Sequence, residues 1–245
     1  MPLFLDAAAP DMPFVYVQNP TGGVFAGDRL LTSVSADAQV RLHLTTQSAT
    51  KLYRMESGLA EQELRFALGE GAYVEHIPDA LIPQAGSRYR QLLEVSVAPG
   101  SAFVSAETIA PGRRAHGERF AYELLELTTV ARRGGRELCA ERLRFAPRES
   151  RVDRPGVLGE ADYLVTVFAV APESDVGALA DRIDAALACA DVPGARGAAG
   201  VLPNRAGAFA RILAADAPGA GRMLRIAWAA ARACLIGLPL PEGRK

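Results

Sequence analysis

The chain has 245 residues, and its 27 lysine and arginine residues nearly balance its 28 aspartate and glutamate residues, for a formal net charge of −1. This balance excludes a general polyanion binder, which needs a basic excess to neutralise phosphates, so we expect no nucleic acid partner. With 49% hydrophobic and 22% charged residues, the sequence is not that of a disordered protein. A single domain of this length buries roughly 70–75% of its unfolded surface and needs no disulfide to fold.

Cysteine content and hydropathy indicate the cellular compartment in which the protein is found. Cys139, Cys189 and Cys234 are odd in number and widely spaced, so they predict no disulfide framework, which suits a reducing cytosol. Residues 1–20 lack the basic segment and apolar core of a secretory signal. No uncharged apolar stretch reaches the roughly 18 residues of a membrane helix. We therefore expect a cytoplasmic protein without a membrane partner.

The first two thirds of the chain have the pattern of β-strands. Apolar and polar residues alternate with period two, as in half-buried strands. The clearest such segments are 14–17, 40–44, 92–97 and 123–127. Glycine and proline turns separate the segments, and Gly134-Gly135 between two strand-like runs predicts a hairpin turn.

A weak internal repeat runs through this region. Ala38, Ala72 and Ala102 each lie near the start of a strand-like run, about thirty residues apart, a spacing typical of stacked coils. Because one strand–turn–strand unit cannot bury both of its faces, stacking the units is the physical solution. We predict a mainly β fold of stacked, β-helix-like layers of short strands, with a plain β-sandwich as the alternative.

The last third changes character. The near-continuous apolar run 161–170 predicts a buried strand, and 206–215 predicts another. Apolar residues at helical spacing predict one helix over 176–187, with Ser174 or Asp175 as its N-cap, and a second over 223–237. We predict a single domain over 1–245, with a β-rich body (1–160) and an α+β tail (161–245) packed on it.

A glycine-rich segment, residues 19–30, is the first candidate for function. It lacks the Gly-Lys-Ser/Thr ending of a P-loop, and no helix follows whose N-terminus could bind an anion. Two tight turns between strands are the simplest interpretation. Asp28 is harder to explain in that way, because a carboxylate beside glycine turns lies where backbone amides can orient it.

Residues 44–54 form the second candidate segment. It places hydroxyl and amide side chains in a strand-like run that ends with two cations and a phenol. A solvated strand face is the simplest interpretation. A Ser48/Lys51 catalytic dyad is excluded, because residues three apart in a strand point to opposite faces.

Together these segments resemble the urease accessory protein D family, called H in some bacteria. The matching stretches are Asn-Pro-x-Gly-Gly…Gly-Asp-x-Leu at 19–30 and Thr-Thr-x-x-Ala-Thr-Lys-x-Tyr-Arg at 45–54, with looser matches at 75–78, 82–87, 111–120 and 141–144. The residues that carry the motif are Asn19, Pro20, Gly22, Gly23, Gly27, Lys51, Tyr53 and Arg54.

The resemblance implies a non-enzymatic maturation scaffold. Members of the family bind accessory protein F and the GTPase G, and the assembly docks on urease apoprotein. Nickel(II) released by the GTPase then passes through the D/H subunit to the urease site, with no cofactor held tightly. The family fold is mostly β, stacked like a helix, with two α-helices.

The sequence departs from the family pattern in three ways. Members usually carry an N-terminal strand region before the Asn-Pro motif, whereas about eighteen residues precede it here. Either one edge of the stack is therefore missing or the start site differs. Glu107 stands where the family usually has aspartate, and the tryptophans usual just before it and at the His76 position are absent.

Metal chemistry argues for a path over a storage site. Imidazole and thiolate suit nickel, but His43, His76 and His116 are isolated in the sequence, and no CxxC or HxH pair exists. A nanomolar site with an on-rate near 10⁷ M⁻¹s⁻¹ releases its ion at only about 10⁻² per second, so a path should bind loosely through oxygen ligands and water.

Four residues are candidates for this path. Asp28, Thr50 and Glu141 match polar positions that line the proposed water-filled path of the family, and Glu107 replaces an aspartate there. The alternative is that the acids are surface groups in ion pairs, for which Arg54 and Arg142 are available.

Two other functions are compatible with a β-stacked chain. A carbohydrate-binding protein or glycoside-processing enzyme would use paired carboxylates such as Glu107 and Glu141. Sugar sites usually have aromatic platforms, whereas aromatic residues make up only 7% of this chain, with a single tryptophan. The third interpretation is a generic β interaction module.

Overall fold

The computed structural model describes residue 3 and residues 6–172 and 175–241. Fifteen strands occur in this part of the chain. In order they are β1 (Phe14–Val17), β2 (Gly23–Val24), β3 (Arg29–Ala36), β4 (Arg41–Thr46), β5 (Thr50–Leu52), β6 (Ala60–Leu68), β7 (Tyr73–His76), β8 (Leu81–Pro83), β9 (Arg88–Val97), β10 (Ala102–Ile109), β11 (Leu124–Arg133), β12 (Arg136–Phe145), β13 (Tyr163–Val170), β14 (Ala195–Val201) and β15 (Gly207–Ala214).

The strands form two sheets that wind as successive coils. The ten-stranded sheet has the order β1-β4-β7-β10-β13-β15-β14, with the short strands β2, β5 and β8 beside it. The five-stranded sheet has the order β12-β11-β9-β6-β3. Pairs between successive coils are parallel, as between β4 and β7 or β6 and β9. The prediction of stacked, β-helix-like layers is confirmed.

Register along the stack shows how the coils repeat. Phe14 lies opposite His43, His43 opposite Glu75, and Glu75 opposite Val104. The alanines of the weak repeat do not share one register, because Ala102 lies opposite Tyr73 and Ala38 lies in the turn before β4. Turns of unequal length separate the coils, so small residues near the turns do not keep the register of the strands.

Antiparallel strands close one end of the stack. The predicted hairpin turn is confirmed: Gly134 and Gly135, with φ of 56° and 77°, join β11 to the antiparallel β12. β13 then pairs antiparallel with β10, and β15 and β14 extend the same sheet. Strands on both sides of residue 160 therefore belong to one hydrogen-bonded sheet.

Two helices cover the outer face of the ten-stranded sheet. α1 (Val176–Ala188) and α2 (Ala217–Ile236) pack on it through an apolar cluster that includes Leu179, Ile183 and Met223. Asp175 precedes α1 without a side-chain capping bond, and Ser174 lies outside the described residues. Two further apolar clusters lie on the inner face, between the two sheets.

The tail differs from prediction at the start of one helix and in one additional strand. α2 begins at Ala217, six residues before the predicted Met223, because the Asp216 carboxylate accepts a hydrogen bond from the Gly219 N–H and caps the first turn. Strand β14 was missed, since its alanines and glycines carry little apolar pattern and none of its residues is buried. No described helix is both long and apolar enough to cross a membrane.

A buried ion network joins α2 to the sheet. Arg232 is fully buried and pairs with Asp6 and with Glu75, the latter at 3.1 Å. Glu75 also contacts His43 Nδ1 at 2.9 Å and accepts a hydrogen bond from the Tyr73 hydroxyl. The network fixes the helix against Asp6, which precedes β1, and against Glu75 on β7.

Candidate oxygen-lined path

The two motif segments lie side by side in the structure. Gly23 pairs with Lys51 and Val24 with Leu52, so β2 and β5 form neighbouring rungs. The Asn19 side-chain amide donates a hydrogen bond to the Gly23 carbonyl at 2.9 Å and closes the turn from residue 19 to residue 23. A β-carbon at position 23 would collide with the Lys51 carbonyl oxygen, so only glycine permits this approach.

Gly23→Ala is expected to destabilise the fold by about 1–3 kcal/mol, because the new methyl group must push β2 from β5. Denaturant unfolding measures the loss. Gly221→Ala is the matched control: this glycine is in α2 and faces open space, so alanine there should stabilise by about 0.5–1 kcal/mol. Equal effects from both changes would contradict the close approach.

The remaining motif residues shape the outside of the same rungs. Tyr53 stacks on Phe25 with ring centroids 4.5 Å apart, and its hydroxyl donates to the Thr21 carbonyl. The side chains of Lys51 and Arg54 are exposed. The other members lie in the turns that flank β2, namely Pro20, Gly22 and Gly27.

Asp28 and Thr50 line one cavity of about 410 Å³ beside these turns. The Asp28 carboxylate accepts a hydrogen bond from the Phe25 N–H at 2.9 Å, which fixes its position. Gln62 and Thr32 contribute further polar groups to the wall. The volume exceeds many times the space that one water molecule needs, so a hydrated ion fits.

Glu107 lies between the sheets. It is on β10 of the larger sheet, and its carboxylate accepts a hydrogen bond of 2.6 Å from the amide of Gln91, on β9 of the smaller sheet. Burial raises the pKa of Glu107 to about 7, although the bond from Gln91 acts in the opposite direction. At neutral pH the carboxyl is therefore divided between its protonated and ionised forms.

Three residues that sequence reasoning missed connect Glu107 to the cavity. The Tyr89 hydroxyl lies 2.9 Å from the Gln91 amide oxygen and also contacts the amide of Gln62, in the cavity wall. Gln62 and Gln91 are opposite each other in the register of β6 and β9. The period-two strand pattern carried no signal for these residues, because it does not tell an inward polar side chain from an outward one.

Glu141 bridges the sheets at a second place. It is on β12, and it forms an ion pair with Arg211, on β15 of the larger sheet. Burial raises the pKa of Glu141, and the positive charge of Arg211 opposes this rise. The sequence offered Arg54 or Arg142 as partners, which was wrong for Glu141: Arg142 instead pairs with Glu126 at 2.8 Å.

His43 and His76 lie on the neighbouring strands β4 and β7, and His116 lies in the segment between β10 and β11. His43 is buried in the ion network under α2, and His116 is exposed. His76 is buried beside the Ser105 hydroxyl, at 3.3 Å, and burial lowers its pKa to about 3. Within the part of the chain that the structure describes, no three His, Cys, Asp or Glu side chains lie close enough to hold a metal ion.

Comparison with known proteins identifies the family. The sequence model of the UreD urease accessory protein family matches residues 2–245. The chain belongs to the UreD family. The resemblance seen in the two motif segments is thus confirmed over almost the whole chain.

Individual UreD proteins align along most of the chain. The urease accessory protein UreD of Mycolicibacterium gilvum is 39% identical over 240 residues, which cover 96% of this chain and 84% of the relative. That of Haloarcula marismortui is 36% identical over 236 residues, covering 96% and 78%. That of Yersinia pseudotuberculosis is 32% identical over 245 residues, covering 98% and 75%.

In this UreD chain the four predicted path residues fall into two groups. Asp28 and Thr50 share the cavity, whereas Glu107 and Glu141 bridge the sheets farther along the stack. Gln62, Gln91 and Glu107 lie in strand positions between the two inner apolar clusters. The arrangement offers oxygen ligands and a titrating carboxyl inside an otherwise apolar stack.

Proposed function

We propose that this chain is a non-catalytic urease maturation factor that conducts nickel(II) through its β-stack to urease apoprotein. Membership of the UreD family supports the maturation role. The observation that carries the nickel path is the row of oxygen-bearing side chains that runs from the Asp28–Thr50 cavity to Glu107 between the sheets.

The chemistry of these ligands suits transfer better than storage. Carboxylate, hydroxyl and amide oxygens bind nickel more weakly than imidazole or thiolate does, so an ion held by them dissociates quickly. A buried carboxylate is costly unless hydrated or paired, and the cavity and the Arg211 ion pair supply those two conditions. We accordingly propose no resident cofactor and no catalytic residue.

Partners are proposed from the family. The chain would bind accessory protein F and the GTPase G in the cytoplasm, and this assembly would dock on urease apoprotein. We place the contact surfaces on the C-terminal helices and on one flank of the β-stack. Exposed apolar side chains near the cavity include Phe25, just after β2, and Leu31, on β3. They make this flank suitable for binding a partner.

A sugar-processing function has less support. Trp228, the single tryptophan, is a buried residue of α2 and stacks on His43, with ring centroids 5.3 Å apart. It therefore supplies no platform at the Asp28–Thr50 cavity. Glu141 is already held by Arg211.

Thr50→Val tests the path, because valine keeps the shape of threonine and removes only the hydroxyl. We expect urease activation at limiting nickel to fall about three- to tenfold, the value of one lost oxygen contact. Urease activity is measured after incubation of apoprotein with F, G and this chain. A pull-down with F and G should show unchanged assembly.

Thr128→Val is the matched control, since this threonine is on β11, away from the cavity. It should activate urease like the unaltered chain. Full activation by Thr50→Val would remove Thr50 from the path. An unaltered chain that neither assembles with F and G nor raises urease activity would refute the proposed function itself.

A further inference from the structure

A second cavity lies between α2 and the strands at one edge of the ten-stranded sheet. Its volume is about 340 Å³, which is near the lower end of the range found for small-molecule sites in proteins. Residues of β1, β4 and α2 line it, and most of its wall is aromatic or aliphatic. We call it the α2 cavity; it shares no lining residue with the Asp28–Thr50 cavity.

One side chain in the wall of the α2 cavity is a buried imidazole. His43 is only 3% exposed, and its ring stacks on Phe14 and on Trp228, with centroids 4.3 and 5.3 Å away. Its Nδ1 atom contacts the Glu75 carboxylate at 2.9 Å. These contacts leave the edge of the ring that carries Nε2 to face the cavity.

The ion network decides which nitrogen of His43 carries the proton. Glu75 is paired with Arg232 at 3.1 Å and is a carboxylate, which can only accept hydrogen bonds. The proton of the neutral imidazole is therefore on Nδ1, and Nε2 keeps its lone pair. Among the residues that the structure describes, no donor is paired with Nε2. A buried acceptor without a partner is costly, and a bound donor would remove that cost.

We propose that the α2 cavity binds a neutral aromatic molecule of one or two rings, which donates an O–H or N–H hydrogen bond to Nε2 of His43. The aromatic side chains of the wall suit stacking on such a ring. Asp79 and Arg225, which also line the cavity, have opposite charges and so favour no net charge on the ligand. The site lies outside the proposed nickel path, so it does not depend on the proposed function.

Binding of p-cresol at pH 8, where an imidazole is ordinarily neutral, tests the site. Trp228 is the single tryptophan and lines the cavity, so its fluorescence reports binding when it is excited at a wavelength that p-cresol does not absorb. Calorimetry measures the Kd, which we expect to be on the order of 0.1–1 mM. 4-Fluorotoluene has nearly the same shape and no donor, and it should bind about three- to tenfold more weakly.

Nitrogen NMR of the histidine side chains tests the contact at Nε2. The chain has three histidines, and His43→Phe identifies the signals of His43 by their absence. Binding of p-cresol should move the Nε2 signal of His43 upfield and leave the signals of His76 and His116 in place. Phenylalanine keeps the stacked ring and removes the acceptor, so p-cresol and 4-fluorotoluene should bind His43→Phe about equally.

Gly221→Leu closes the cavity from α2 without a change in the ion network. Gly221 lines the cavity, and a β-carbon at this position meets no other atom within 4 Å, so the fold tolerates the larger side chain. We expect the fluorescence response to p-cresol to be lost. Gly177→Leu is the matched control, because this glycine of α1 has equally open surroundings and lies outside the cavity; it should bind p-cresol like the unaltered chain.

Any one of three results would overturn the site. They are equal affinities of the unaltered chain for p-cresol and 4-fluorotoluene, an Nε2 signal of His43 that p-cresol does not move, and full binding of p-cresol by Gly221→Leu. The third result decides even if His43→Phe does not fold. None of these measurements uses nickel or urease, so the proposed function is unaffected by their outcome.

Discussion

Arg232→Met is expected to cost the folded chain about 3–5 kcal/mol of unfolding free energy. Arg232, on α2, is fully buried and neutralises two buried acids, Asp6 and Glu75. Burial pushes the pKa of Glu75 upward, but the bond from His43 and the charge of Arg232 outweigh it, so the pKa is lowered. Methionine fills the space and leaves both carboxylates without their cation.

Denaturant unfolding at two pH values measures this loss. The deficit should be larger at pH 8 than at pH 5, because without the charge of Arg232 Glu75 becomes easier to protonate and a neutral acid tolerates burial. Arg222→Met, on the exposed part of α2, is the matched control and should change stability by less than about 0.5 kcal/mol. A deficit under about 1 kcal/mol for Arg232→Met would show that the network contributes little.

Glu107→Gln is expected to make the protein more stable than the unaltered chain above pH 7, by about 3 kcal/mol at pH 8.5. The pKa of Glu107 is raised from 4.5 to about 7 in the folded state. Between these values the folded chain binds more protons than the unfolded chain, so its stability falls as the pH rises. Glutamine stays neutral and can still accept the bond from Gln91.

Urea unfolding at pH 4.5, 6, 7 and 8.5 tests this expectation. The difference between the two proteins should be near zero at pH 4.5 and should grow through pH 7. Glu149→Gln is the control: the hydrogen bond from Arg144 lowers the pKa of this exposed acid, so the pH dependence above 4.5 should not change. A constant difference at all four pH values would contradict a titrating Glu107 between the sheets.

Much of the fold could be predicted because it follows local rules. Period-two strands, glycine turns and an approximate repeat were enough to indicate stacked coils and the Gly134–Gly135 hairpin. Register could not be predicted, since turn lengths between coils vary and nothing local records which residues meet. The start of α2 was missed because Pro218 and Gly219 resemble a loop until Asp216 is seen to cap them.

Part of the candidate site could be predicted from the sequence, and part of it could not. Asp28 and Thr50 were found from motifs, and the structure places them on one cavity. Gln62 and Gln91 were not found, because an inward polar residue has the same sequence pattern as an outward one until the opposite sheet is known. The pair of Arg211 with Glu141 joins residues 70 positions apart, beyond any local pattern.

The ion network under α2 bears on how the chain is made. Asp6 is synthesised 226 residues before the arginine that neutralises it, and Glu75 is synthesised 157 residues before the same arginine. During translation, the coils therefore assemble around acids that still lack their counter-charge. In a nascent chain that ends before Arg232, α2 does not yet cover the outer face of the ten-stranded sheet. The exposed apolar face makes this chain a substrate for proteases and holding chaperones until the last helix emerges.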